Sequence, residues 1–171
     1  SVVENGAVSS PVGGYQAGDA FSIGVESGVA VIRHNGVQVH LSSVPVAYPL
    51  FAEILTIGTG SAVTATGIGG SLGEFVQWAN VVNASSPSAG VIVGSAGAPY
   101  GGGASAKAIL AGDGYVEFTV EDAAVLRRIG LSNGDTDQSP TDIDFGLHLY
   151  YGNAYAFSCQ SAEVSTPSVV R

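Results

Sequence analysis

The sequence predicts an all-β protein in which two antiparallel sheets pack as a jelly-roll type sandwich, in one domain over residues 1–171. Glycine is frequent, with 25 residues, and only 11% of the residues are charged, a composition typical of short strands and tight turns. Apolar and polar residues alternate in several runs, as in strands that bury one face. Turn-forming residues separate these runs at intervals of about 8–12 residues, which favours roughly ten or eleven strands in a sandwich or barrel.

Residues 19–42 contain the clearest pattern, which predicts three strands joined by two tight turns. Ser27-Gly28 and Asn35-Gly36 each match a two-residue hairpin loop, and such a loop sets the pairing of the strands beside it. The predicted pairs are Val25 with Ala30 and Ile32 with Val39. The residues predicted on the core-facing side are Phe21, Ile23, Val25, Ala30, Ile32, Val37, Val39 and Leu41. Val29 and Val31 fall on the other side, which predicts partial cover of that face.

The same alternation predicts strands in the rest of the chain. These strands are expected at 2–4, 48–58, 73–83, 91–93, 106–110, 114–120, 127–131, 142–150 and 153–157. The residues predicted on the outward, polar faces of 19–42 and 114–120 are Ser22, Glu26, Arg33, Gln38, His40, Tyr115, Glu117 and Thr119. Residues 121–130 have the only helical composition, and we expect one helical turn or a strand there. The glycine-rich segments 67–73 and 97–106 are expected to separate strands, and the first has the composition of a flexible connector.

The charge of the chain limits its partners. With 14 acidic against 5 basic side chains the net charge is −9, and so few basic groups cannot neutralise a row of phosphates. No apolar run reaches the roughly 18 residues that a membrane span requires. The sequence has no Met and one cysteine, Cys159, so we expect a processed, secreted or cell-surface protein without an internal disulfide. We therefore expect no nucleic-acid partner and no membrane span.

Six motifs together resemble a known type of module. They are VVENG at 2–6, YQAGDAFSIGVESGVAVIRHNGVQVH at 15–40, YPLFAEI at 48–54, DGYVEFTV at 113–120, IGLSNGD at 129–135 and DIDFGLHLY at 142–150. As a set they resemble bacterial extracellular lectin-like jelly-roll modules of the concanavalin-like or SPRY-like kind, which are found in surface and appendage proteins. The resemblance implies a β-sandwich that acts outside the cell as a binding or structural module.

The order of the motifs is circularly permuted relative to that family. The resemblance implies that residues 1–66 are the late strands, 67–73 the connector, 74–158 the early strands and 159–171 a tail. Such a chain could close on itself, because the termini of a sandwich often lie close together. It could instead exchange strands with neighbouring chains in a homo-oligomer or filament, with the tail either donated as a strand or disordered.

Aromatic residues are the candidates for binding a glycan or another cell-surface ligand. A flat ring can cover the apolar face of a sugar while neighbouring polar groups bind its hydroxyls. The candidates are Trp78, Tyr100, Tyr115, Tyr150, Tyr151 and Tyr155. Packing within the sheets is the alternative role, since tyrosine is a good strand former.

Acidic and amide residues between positions 133 and 144 predict a cation site. Carboxylate and amide oxygens are the ligands that calcium prefers, and their spacing here is similar to that of a loop that wraps a cation. The predicted ligands are Asn133, Asp135, Asp137 and Asp144. Gln138 stands where such a loop needs glycine, so a solvated acidic loop is the alternative. No other cofactor is expected.

Catalytic motifs are missing from the sequence: it has no GxSxG elbow, HExxH helix, CxxC pair or P-loop. Asp142 and Asp144 alternate like the paired acids of some jelly-roll glycosidases, but the glutamate of such a motif is absent. We therefore expect a non-catalytic module that recognises a carbohydrate-type or surface ligand. A self-assembling subunit of an extracellular fibre is the first alternative, and a glycoside hydrolase-like enzyme is the second.

Overall fold

The computed structural model describes residues 12–57, 62–69, 73–98, 100–135 and 142–158, which form strands and turns without a helix. The strands are β1 Gly13–Gly14, β2 Ala20–Glu26, β3 Val29–His34, β4 Val37–Leu41, β5 Leu50–Ile57, β6 Ala62–Gly69, β7 Gly73–Phe75, β8 Trp78–Val82, β9 Ala84–Ser85, β10 Ile92–Gly94, β11 Gly101–Ile109, β12 Gly114–Thr119, β13 Leu126–Ser132, β14 Phe145–Tyr150 and β15 Asn153–Ser158. The predicted all-β class is confirmed, with more strands than expected. Within the same residues, no helix is long and apolar enough to cross a membrane.

Two antiparallel sheets pack face to face. The first has seven strands in the order β1-β15-β14-β13-β5-β11-β8. The second has eight strands in the order β4-β3-β2-β12-β6-β10-β9, with β7 paired to β6. The core between them contains, among others, Phe21, Ile23, Ile32, Ile54, Val116, Phe118, Ile129, Leu131, Leu147 and Leu149. The antiparallel sandwich is confirmed, whereas its jelly-roll type and permuted order stay predictions.

The hairpin β2–β3 has the predicted register, with Val25 opposite Ala30. Its turn residues Ser27 and Gly28 both have positive φ, at 52° and 80°, as a tight two-residue hairpin turn requires. Val31 is buried although it lies on the outer side, so the predicted partial cover of that face is confirmed.

The register predicted between β3 and β4 is confirmed beside the turn, where Arg33 pairs with Gln38, and is wrong at Ile32 and Val31. Ile32 pairs with His40 instead of Val39, because a β-bulge shifts the register between Ile32 and Arg33. An extra residue in one strand turns the following side chains to the opposite face. Leu41, predicted in the core, is therefore 54% exposed.

The single strand predicted over residues 73–83 is divided between the sheets. Strand β7 pairs with β6 in the eight-stranded sheet, and β8 pairs with β11 in the seven-stranded sheet. Val76 lies fully buried at the crossing, and its N–H donates to the carbonyl oxygen of Thr66 at 2.8 Å. Apolar residues continue through the crossing, so the sequence carries no sign of the change of sheet.

Both glycine-rich segments contribute to strands, which corrects the prediction that they only separate strands. Gly101–Ile109 is one long strand, and a Cβ on Gly102 would lie 1.9 Å from the carbonyl oxygen of Ile54 in β5. Gly69 pairs with Gly73, so the predicted connector 67–73 joins neighbouring strands of one sheet. Arg127, in the segment of helical composition, lies in strand β13.

Strands β1 and β15 are neighbours at the edge of the seven-stranded sheet. The Val12 N–H donates to the carbonyl oxygen of Ala154 at 2.9 Å, and Gly13 pairs with Ala154. The predicted strand at 2–4, Cys159 and the tail 159–171 lie outside the described residues. The permuted order therefore stays a prediction.

Candidate functional site

An open groove of about 430 Å³ runs across strands β2, β3 and β12 on the outer face of the eight-stranded sheet. Side chains from all three strands and from the turn before β12 meet in it. The polar and aromatic side chains that line it are Ser22, Glu26, Arg33, Asp113, Tyr115 and Glu117. We call this feature the outer groove.

The alternation of the three strands brings these side chains together. Phe21, Ile23 and Val25 face the core, so Ser22 and Glu26 face outward. The pairing then sets Ser22 between Arg33 of β3 and Glu117 of β12. The polar face predicted for residues 19–42 and 114–120 is thus the lining of the outer groove.

Glycines leave space around Tyr115. Gly24 is paired with Tyr115, and a Cβ on Gly24 would lie 2.7 Å from the Tyr115 Cβ. On the other side Tyr115 pairs with Gly69 of β6, and its hydroxyl is 3.3 Å from the place of a Cβ on Gly73. The Tyr115 side chain therefore extends along the sheet surface toward β6 and β7.

One ion pair organises the polar side of the outer groove. The Arg33 Nε donates to Glu26 Oε1 at 3.0 Å, and its Nη2 donates to Oε2 at 2.8 Å. These bonds lower the pKa of Glu26 below its ordinary value. Asp113 Oδ1 accepts the Ser27 N–H at 2.8 Å, while Glu117 is exposed. The groove thus offers three carboxylates and one guanidinium, a set with many acceptors and a net negative charge.

The other predicted aromatic residues do not join Tyr115. Tyr150 and Tyr151 are 43% and 62% exposed at the end of β14, in the other sheet, and their ring centroids are 4.7 Å apart. Tyr100 is exposed before β11. These rings form separate surface features, so the predicted residues do not gather into one site.

Two further aromatic candidates occupy the seven-stranded sheet. Trp78 is partly buried against the core, and its Nε1 is buried without a hydrogen-bond partner, which places it in packing rather than at an open surface. Tyr155 pairs with His148 along the backbone of β14 and β15, and its side chain lies outside the described atoms.

A second cluster of functional groups lies on the outer side of the seven-stranded sheet. Carboxylate oxygens of Glu53, Asp135 and Asp142 all lie within 4.8 Å of one another. Glu53 belongs to β5, while the two aspartates stand at the two ends of the connection from β13 to β14. We call this feature the carboxylate cluster.

The predicted cation ligands are only partly gathered in this cluster. Asp135 belongs to it, and its Oδ2 accepts a hydrogen bond from the Asn80 amide. Asp144 Oδ2 instead accepts the Asn133 N–H at 2.7 Å, within the β13–β14 connection. Asp137 lies outside the described residues. The structure thus brings Asp135 together with Glu53 and Asp142, two residues that the loop spacing did not indicate.

The described end of the β13–β14 connection, at Asp142 and Ile143, lies close to Glu53 and its neighbour Gly130. Gly130 is the neighbour of Glu53 in β13, and a Cβ on Gly130 would lie 2.5 Å from the Ile143 Cγ2 and 2.1 Å from the Phe145 carbonyl oxygen. Glycine is therefore required where the connection crosses the sheet. As a result Glu53 is only 4% exposed, although it points away from the core.

Burial changes the acidity of Glu53. Desolvation is the largest cause, followed by the charge of Asp142, and together with the other neighbours they raise the pKa of Glu53 to about 10. The Ser132 hydroxyl opposes this shift. Glu53 Oε2 is buried without a hydrogen-bond partner. Sequence reasoning missed Glu53 because a lone acid in an apolar strand carries no signal of long-range partners.

Comparison with known proteins found no matching protein family, characterised protein or solved structure.

Proposed function

We propose that this protein is a non-catalytic binding module that recognises a neutral carbohydrate-type ligand in the outer groove. The observation that carries the proposal is that Tyr115 lines the outer groove together with Ser22, Arg33 and Glu117. Ligand sites are commonly lined by aromatic side chains beside a few converging polar groups. The ring contacts the apolar surface of the ligand, and the polar groups form hydrogen bonds with it.

The groups in the outer groove suit the two surfaces of a sugar. The Tyr115 ring can pack on the apolar C–H face of a pyranose, because ring stacking gains more than the buried area alone. The carboxylates of Glu117 and Asp113 accept hydrogen bonds from hydroxyl groups, and Arg33 donates them. Since three carboxylates face one guanidinium, an acidic saccharide would be repelled, which favours a neutral one.

The sequence resemblance supports the same function. Lectin-like jelly-roll modules act outside the cell, so we assign this chain to the cell surface or the secreted fraction. The acids considered for hydrolysis do not support an enzyme, because Asp142 and Asp144 are each only 5% exposed and a polysaccharide cannot reach them.

The proposal predicts that Tyr115→Ala weakens binding of neutral glycans. An array of neutral and acidic glycans identifies the tightest ligand, and titration calorimetry then compares the variant with the wild-type chain. Loss of the ring removes a stacking contact of about 1 kcal/mol plus buried area, so we expect affinity to fall by roughly tenfold or more. The wild-type chain should release no shortened saccharide, which chromatography checks.

Tyr151→Ala is the matched control, because Tyr151 is an exposed tyrosine on the opposite sheet. It should bind as the wild-type chain does. Absence of any neutral glycan binding, or equal losses in the two variants, contradicts recognition in the outer groove.

A second candidate function is self-assembly, and the edge strand β4 favours association of copies by edge-to-edge strand pairing. Among the described residues no strand pairs with the outer edge of β4. Its sequence VQVHL has no lysine, acid or proline, and Val37 and Leu41 are 66% and 54% exposed. Natural edge strands usually carry charge or proline that prevents pairing, and β4 has only its bulge. The partner that fits is β4 of a second copy.

This second candidate predicts that the purified chain associates as its concentration rises. Analytical ultracentrifugation should show the association, and Leu41→Lys should abolish it by adding a charge to the edge. Leu110→Lys is the control, since Leu110 is 77% exposed outside β4, and this variant should still associate. A wild-type chain that stays monomeric at all concentrations contradicts self-assembly through β4.

A further inference from the structure

The carboxylate cluster joins three separate parts of the chain on the sheet opposite the outer groove. Glu53 comes from the middle of β5, flanked by Ala104 of β11 and Gly130 of β13. Asp135 and Asp142 come from the start and the end of the β13–β14 connection. Their oxygens converge within 4.8 Å, which agrees with ligands around one ion: two oxygens on opposite sides of calcium are separated by about 4.8 Å.

Glu53 supplies an observation beyond the clustering of acids. It is 96% buried, since only 4% of it is exposed, and its Oε2 lies in the interior without a hydrogen-bond partner. A buried polar atom of this kind costs free energy unless something binds it. The side chain reaches toward Asp135 and Asp142, so the binding partner must be attractive to three carboxyl groups at once.

We propose that Glu53, Asp135 and Asp142 bind one calcium ion. A hard cation with carboxylate ligands satisfies the Glu53 oxygen and removes the repulsion among the three acids. Magnesium usually takes only one or two carboxylates and keeps several waters, so three converging carboxylates favour calcium.

The proposed ion holds the β13–β14 connection on the sheet. Asp135 is further tied to Asn80 of β8, so the ion would link β5, β8 and both ends of the connection. Because the outer groove is on the other sheet, the ion stabilises the fold without contacting the saccharide. Failure of one proposal therefore leaves the other intact.

The test uses the full chain, stripped with a chelator and then titrated with calcium chloride. Calorimetry should show one ion bound per chain, and the midpoint of thermal unfolding should rise with calcium concentration because the ion binds the folded state. Asp135→Asn should weaken calcium binding by roughly 10- to 100-fold, the loss seen when even outer partners of a metal are removed. Glu53→Gln should do the same.

Glu121→Gln provides the control for general attraction of cations to an acidic chain, because Glu121 is exposed and outside the cluster. This variant should bind calcium as the wild-type chain does. Asp135 is only partly buried, so its variant remains interpretable even if Glu53→Gln fails to fold. Absence of calcium binding to the wild-type chain, or unchanged binding by Asp135→Asn, overturns the proposal and leaves a shared proton as the means of relieving repulsion.

Discussion

At the scale of single residues, Glu53 has the most unusual environment among the described acids. It stands in the middle of β5 under the β13–β14 connection, beside Asp135 and Asp142. In the absence of an ion, burial and the neighbouring charges favour its neutral form. As the pH rises, the buried Glu53 must ionise without a partner, which lowers the stability of the folded chain. A bound cation would instead stabilise the ionised carboxylate.

The raised pKa of Glu53 predicts a pH effect on stability when calcium is removed. Its pKa is about 10 in the folded chain and 4.5 without the fold, so the contribution of Glu53 is complete below pH 4.5 and is lost toward pH 10. Relative to Glu53→Gln, the wild-type free energy of unfolding should fall as pH rises from about 5 to about 9, by at most about 1.4 kcal/mol per pH unit.

Urea unfolding in a chelator at several pH values measures this difference. If Glu53→Gln runs parallel to the wild-type chain at all pH values, Glu53 has an ordinary pKa, and burial does not favour its neutral form.

At the scale of elements, the sequence predicts hairpins better than it predicts their edges. The turn Ser27-Gly28 was recognisable because both positions need positive φ, and its register is confirmed. Asn35-Gly36 has the same geometry, yet the bulge near Val39 displaces β4. A bulge depends on the local twist and on what the strand packs against, and neither leaves a mark in the alternation of apolar residues.

Strands without large side chains were also not recognisable in the sequence. Glycine and small residues in 67–69 and 101–105 carry little hydrophobic pattern, so these segments were expected to be connectors or separators. They form strands because neighbouring backbones pack too closely for side chains, as at Gly102 beside Ile54. Close approach of two backbones is a property of the assembled sheet and cannot be deduced from one segment.

The close packing of Gly130 against β14 and Ile143 predicts that Gly130→Ala is strongly destabilising. The added Cβ would lie 2.1 Å from the Phe145 carbonyl oxygen, so the backbone must shift. Overpacking of this kind costs about 1–3 kcal/mol of unfolding free energy, measurable by urea unfolding. Gly14→Ala is the control, since its Cβ would meet only the Gly152 oxygen at 3.5 Å and should change stability little. If Gly130→Ala and Gly14→Ala lose the same stability, Gly130 is not closely packed.

At the scale of the whole molecule, composition and alternation were sufficient for the fold class. Low charge, many glycines and short alternating runs predict two packed sheets because only such sheets can bury the alternating faces. The site is predictable in part: Tyr115 was a candidate, and Arg33 and Glu117 were on predicted polar faces. The carboxylate cluster was not, because Glu53 is more than eighty residues from Asp135 and their meeting depends on strand order.

The outer groove exists only in the assembled sheet. The hairpin β2–β3 and the strand β12, which is distant from it in sequence, together form its walls. Its composition is acidic, in agreement with the net charge of −9 for the chain. A neutral ligand therefore remains the best match to the molecule as a whole.

The most direct measurement is a two-dimensional NMR titration of the isotope-labelled chain with neutral saccharides, including the tightest glycan from the array. Recognition in the outer groove predicts that amide signals shift in β2, β3 and β12 around Gly24, Arg33 and Tyr115, while those around Tyr150 and Tyr151 do not move. Shifts concentrated at Tyr150 and Tyr151, or no shift with any neutral saccharide, would contradict it.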